Sequence, residues 1–113
     1  MALRVDTKEL SGVTVVSISG RLTLGDDSEL RNRVKGLLAE GKKRLVLDLG
    51  DVSYMDSAGL GTLVAAYTSA RNSGTDIKLA NLSKKSDQLL SITKLLTVFE
   101  VHPTVEEAVN SFR

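Results

Sequence analysis

The feature that most constrains the fold is a short, nearly continuous apolar run, Arg44-Leu45-Val46-Leu47-Asp48-Leu49, bounded by turn signals. A run of that length and density suits a central β-strand buried on both faces, which needs helices to cover it. The flanking segments supply them. Across residues 27–41, Leu30, Val34, Leu37 and Leu38 fall at i, i+4, i+7 and i+8, the stripe of an amphipathic helix. Beyond the run, Leu60, Leu63, Val64 and Tyr67 mark a second helix over Ser57–Asn72, closed by Ser73-Gly74.

The rest of the chain fits round this centre. Residues 3–9 alternate weakly and residues 13–19 are dense in β-branched side chains, so both read as strands, joined by Ser11-Gly12 in an antiparallel hairpin. The second strand should end at Gly20, with residues 22–25 as a loop. Asp26 and Glu29 have the spacing of a capping box for the first helix, and Gly41 is its stop. Residues 77–80 read as a further strand. A third helix follows, with Ser83 as its cap and Leu89, Ile92, Thr93 and Leu96 as its stripe. A short extended piece falls near residues 98–101. After Pro103, Thr104 and Glu107 form a second capping box, and Val105, Ala108, Val109 and Phe112 face the core from a last helix. A helix between each later pair of strands implies right-handed parallel crossovers. The expected architecture is α/β: one domain over residues 1–113, with a mixed sheet of four to five strands and about four packed helices.

Composition removes several classes of function. The chain has no cysteine, which excludes disulfide scaffolds, zinc ribbons and thiol nucleophiles. Its 15 Lys and Arg balance 14 Asp and Glu, so nothing calls for a nucleic-acid partner; Lys42-Lys43-Arg44 is a short solvated loop. The N-terminus lacks the pattern of a signal peptide, and no apolar stretch approaches the ~18 residues of a membrane span. The expected location is the cytoplasm, without membrane insertion.

The informative segment is Asp51-Val52-Ser53-Tyr54-Met55-Asp56-Ser57-Ala58-Gly59-Leu60-Gly61, which leaves the central strand and enters the second helix. In open α/β sheets, function gathers outside the carboxyl ends of such strands. Asp56 or Ser57 stands at the helix N-terminus, and Gly59 and Gly61 fall in its first turns. Each glycine there costs up to about 1 kcal/mol relative to alanine, which suggests that something must approach the backbone closely. Helix capping and tight helix-to-sheet packing account for the same residues without any partner.

This set of motifs resembles the STAS family, and within it the stand-alone bacterial anti-sigma factor antagonists. Asp56-Ser57-Ala58-Gly59-Leu60-Gly61 is similar to that family's Asp-Ser-Ser/Thr/Ala-Gly-Leu-Gly signature. Gly20-Arg21-Leu22, the strand Leu45-Val46-Leu47-Asp48-Leu49 and Leu79-Ala80-Asn81 match further motifs in order along nearly the whole chain. The resemblance implies that Ser57 is phosphorylated by an anti-sigma factor that is also a GHKL-type serine kinase. The unphosphorylated protein would bind that kinase and release a sigma factor, and a serine phosphatase would reverse the modification. The expected partner surface is Asp26, Asp56, Ser57, Ala58, Gly59, Leu60 and Gly61, and no cofactor, metal or enzymatic activity is expected. Two departures stand out. Ala58 replaces a second hydroxyl often found in this loop, and Ser91-Ile92-Thr93-Lys94-Leu95-Leu96 lacks the Gly-Leu common after the third helix.

Other readings remain open at this level: a STAS-like adaptor in a signalling or transporter complex, or a small-molecule-binding or hydrolytic α/β domain. Asp56 could orient Ser57, contact the kinase, or simply cap the helix. Asp26 and Asp27, with Leu24 before them, border the same region, although helix-dipole pairing is the simpler explanation of the acids. Tyr54 and Met55 could supply contact area or pack inside. His102, the single histidine, has no nucleophile elbow round Ser57 to serve. Gly59-Leu60-Gly61 lacks the Gly-Lys-Ser/Thr ending of a phosphate-binding loop.

Overall fold

The computed structural model describes residues 3–94 and 98–112, without the side chains of residues 85 and 92. Its elements run β1 (Arg4–Leu10), β2 (Val13–Leu22), α1 (Ser28–Ala39), β3 (Arg44–Met55), α2 (Ser57–Asn72), β4 (Asp76–Ala80), α3 (Lys84–Ile92), β5 (Val101–His102) and α4 (Val105–Asn110). They form one five-stranded sheet in the order β1-β2-β3-β4-β5. The first pair is antiparallel and the other three are parallel, so the mixed sheet and four helices expected from the sequence are present. The β1–β2 turn is made by Ser11 at φ 51° and Gly12 at φ 80°, and two successive positive φ values fit the twist of a two-residue hairpin.

Alternation along the strands divides the core. Val16, Ile18 and Leu22 of β2, Leu45, Leu47 and Leu49 of β3, and Ile77 and Leu79 of β4 join the larger cluster. There they meet Leu30, Val34 and Leu37 of α1, Leu60, Leu63, Ala66 and Ala70 of α2, and Leu90 of α3. Val13, Val15, Val46 and Ala80 face the other way and pack with Ala108 and Val109 of α4.

Three boundaries differ from the sequence reading. β3 does not stop at Leu49 but runs on to Met55. The register with β2 slips twice: between the pairs Ser17–Asp48 and Ser19–Asp51, and between Gly20–Val52 and Arg21–Tyr54. Each slip puts one extra residue into β3, a bulge that bends the strand and resets which side chains face inward. Beyond Leu49 the buried residues are therefore Val52 and Met55, three apart rather than two, and the period that marks a strand disappears. β2 likewise continues past Gly20 to Leu22.

The N-cap of α1 is Asp27 rather than Asp26, and its side chain makes no capping bond. Asp26 instead accepts from Thr23 Oγ1 at 3.1 Å, while the Asp27 carboxylate is drawn to α2. The expected caps of the later helices form: Ser83 accepts from Ser86 N, and Thr104 from Glu107 N. The extended piece expected at 98–101 is a strand at Val101–His102. Leu96, expected on the stripe of α3, lies outside the described residues, as does part of the 91–96 segment.

Candidate functional site

The site is built where β2 and β3 end side by side. Leu22 pairs with Met55, and one residue later Asp56 N–H donates to Leu22 O at 3.3 Å. The same carbonyl lies under the first turn of α2. A Cβ placed on Gly59 would stand 1.9 Å from Leu22 O and 2.8 Å from Leu22 C. The close approach that the glycine suggested is therefore made by the chain's own backbone. Gly61 differs, because a Cβ there would meet nothing within 4 Å.

Asp56 caps α2 from an extended conformation, φ −108° and ψ −175°. Its Oδ1 accepts from Gly59 N at 2.8 Å and its Oδ2 from Leu24 N at 3.1 Å. One carboxylate thus ties the start of α2 to the turn between β2 and α1. The Gly59 amide first, then the Leu24 amide, hold its carboxyl below the usual aspartate range, since both bonds favour the charged form.

Ser57 is the first residue of α2 and is exposed, and among the described residues nothing hydrogen-bonds its hydroxyl. Ala58 is half-buried, Gly59 and Leu60 are buried, and Gly61 is exposed. Of the candidate surface residues, Ser57 and Gly61 are open to a partner, Asp26, Asp56 and Ala58 are partly so, and Gly59 and Leu60 serve the packing beneath. Tyr54 and Met55 separate in the same way: Tyr54 is 44% exposed with the Arg21 guanidinium 5.2 Å from its ring centre, whereas Met55 belongs to the core.

A second link fixes α1 to the same turn. Thr62 Oγ1 lies 2.7 Å from Asp27 Oδ2 and 3.2 Å from Ala58 O, and Arg31 donates to the same Asp27 oxygen at 2.6 Å. The Thr62 hydroxyl is the main cause that lowers the Asp27 pKa, and Arg31 adds to it. Thr62 is a site-building residue that the sequence reading did not single out, and Leu22 entered it only within the motif Gly20-Arg21-Leu22. A threonine next to the apolar pair Leu60 and Leu63 was the available signal for the first. For the second, nothing local announces the part that its carbonyl plays.

His102 lies in β5 with Nε2 2.7 Å from Glu100 Oε2, and no described hydrogen bond links it to Ser57. Among the described residues no group of three or more His, Asp or Glu is placed to hold a metal ion, and no helix is long and apolar enough to cross a membrane.

An exposed hydroxyl at a helix N-terminus can accept a phosphoryl group, because the first N–H groups and the helix dipole stabilise an anion there. The model of the STAS domain matches residues 4–108. The chain belongs to the STAS domain family. Among relatives of this STAS domain, the anti-sigma-B factor antagonist of Bacillus subtilis is 33% identical over 109 residues, covering 96% of this chain and 99% of that protein. The crystal structure of an anti-sigma factor antagonist from Mycobacterium paratuberculosis matches with a TM-score of 0.88 at 24% identity, covering 97% of this chain and 93% of the other. The Bacillus cell fate determinant SpoIIAA, solved in its phosphorylated form, matches with a TM-score of 0.76 at 18% identity over 97% of this chain and all of that one (100%). These two structural matches establish the STAS fold, and the first relative extends the likeness along the whole sequence.

Proposed function

We propose that this STAS domain is an anti-sigma factor antagonist switched by phosphorylation of Ser57. Unphosphorylated, it binds an anti-sigma factor that is also a GHKL-type serine kinase, and a sigma factor is released. Phosphorylation ends the binding, and a serine phosphatase restores it. The observation that carries this reading is the unbonded, exposed Ser57 hydroxyl on a helix start whose scaffold is already complete without it. The name of the Bacillus subtilis relative points the same way.

A phosphoryl group brings about −1.5 to −2 charges and three acceptor oxygens. The start of α2 can hold that anion without unfolding, since Asp56, Gly59 and Leu22 supply the local structure independently. Inside a contact surface the same anion must lose its water, and Asp56 beside it is already ionised, which raises the cost of covering it. A loss of about 3 kcal/mol would weaken binding roughly a hundredfold.

Incubation with Mg-ATP and the GHKL-type serine kinases of the source organism, followed by phosphate mapping by mass spectrometry, should place one phosphate on Ser57. In titrations with the kinase so found, Ser57→Ala should bind constitutively and Ser57→Asp roughly a hundredfold more weakly. Equal affinities for the two variants would remove the reading. Recovery of a transporter subunit in place of a kinase would assign the chain to an adaptor role.

A further inference from the structure

Beside Ser57 stands a residue whose exposure the fold does not require. Leu24 is 80% exposed, whereas the next most exposed described leucine, Leu10, is at 37%. Single surface leucines are ordinary in themselves. What distinguishes Leu24 is how firmly its backbone is held. Asp26 N donates to Thr23 O at 3.0 Å, closing a turn with Leu24 and Gly25 at its centre. Gly25 has φ +88°, the value a type II turn needs at that position. Thr23 Oγ1 donates to Asp26 Oδ2 at 3.1 Å across the same turn. Leu24 N–H is then tied to Asp56 Oδ2 at 3.1 Å, a bond between residues 32 apart in sequence.

Loop tips are ordinarily the mobile parts of a domain. Here a tip is braced from two sides and its apolar side chain is held out into water. Because the backbone of the turn is already ordered, a partner that buries this side chain has no loop to order and costs only the leucine's own rotamer freedom. Its place also matters. A protein interface covers about 800 Å² of each partner. A footprint of that size centred on Ser57 reaches the turn hydrogen-bonded to the residue before it.

We propose that Leu24 is the apolar anchor of the docking surface, inserting into an apolar socket on the kinase that acts on Ser57. The proposal rests on the antagonist reading and adds to it the residue that supplies the binding. Asp26 sets the rim chemistry. Arg31 is taken by Asp27, and among the described residues no cation lies within ion-pair distance of Asp26, so a Lys or Arg on the socket's edge is its complement.

The test is a titration of the kinase identified by Ser57 phosphorylation against wild type, Leu24→Ala, Leu24→Met, Leu10→Ala, Ser57→Ala and Ser57→Asp, with melting temperatures for each. Leu24→Ala should weaken binding ten- to a hundredfold without moving the melting temperature, and Leu24→Met should recover most of the loss. Leu10→Ala should bind as wild type does. Wild-type affinity in Leu24→Ala, with binding lost in Ser57→Asp, overturns the anchor and leaves the antagonist reading standing. Failure of both wild type and Ser57→Ala to bind any serine kinase overturns that reading and the anchor with it.

Discussion

Two carboxylates in this domain gather donors in contrasting ways. Asp56, at the start of α2, is satisfied by two uncharged backbone amides from separate elements, and no described cation pairs with it. Glu100, just before β5, is satisfied by side chains: Lys78 Nζ at 2.8 Å and His102 Nε2 at 2.7 Å. Lys78 is nearly covered and continues the cluster, donating to Ser111 Oγ at 2.6 Å and standing 4.1 Å from the centre of the Phe112 ring. The second arrangement neutralises its own charge and fastens the C-terminal segment to the sheet. The first leaves a net negative charge on a rigid backbone platform beneath a free hydroxyl. A region built that way can change its surface chemistry while its scaffold stays put.

The contrast can be broken most forcefully at Gly59. If backbone-on-backbone packing holds the platform, Gly59→Ala has nowhere to put its methyl group, since Leu22 O is also fixed by Asp56 N. It should cost about 3 kcal/mol, read as a fall of roughly 12–20 °C in melting temperature. A fall of only a degree or two would mean that α2 can slide and that the platform is not rigid. The next largest effect is expected at the other carboxylate. Glu100→Gln removes the ion pair to Lys78 and should cost about 1 kcal/mol at neutral pH, the carboxylate being half exposed to solvent. The bond from Lys78 first, and then from His102, lowers the Glu100 pKa from its ordinary 4.5. Its contribution is therefore present above that value and is lost as pH falls through the lower folded value. Chemical denaturation of wild type and variant should converge in acid; a gap that persists there would show that the glutamine has lost packing rather than charge. The smallest effect carries the opposite sign. Gly61→Ala meets no atoms, and replacing a helical glycine should stabilise by about 0.5–1 kcal/mol, raising the melting temperature. Two glycines on one helix, two residues apart, thus separate packing from propensity.

Much of this was legible in the sequence because it is written locally. The bounds Ser57–Asn72 of α2 follow from an Asp-Ser start and an apolar stripe, the cap Ser83 from its residue type ahead of a helical stripe, and the cap Thr104 from its spacing to Glu107. The second half of β3 was not legible, because the bulges turn its inward spacing from two to three and erase the strand period just where the motif begins. The choice between Asp26 and Asp27 as cap was not legible either. Thr62, 35 residues after Asp27 in sequence, captures that carboxylate, and no local pattern announces it. Gly59 was noticed for the right reason, a close approach, but what approaches is a carbonyl of β2, which only the fold could name.

The unequal dressing of the sheet has a consequence for how the chain is made. Among the described residues, the apolar partners of Val13, Val15, Val46 and Ala80 on their side of the sheet are those of α4 and Phe112. As synthesis proceeds from the N-terminus, the larger core can close once Phe99 and β5 have emerged, while this strip waits, wet, for α4. A nascent or clipped chain ending near Pro103 would keep its Ser57 platform and carry a sticky back.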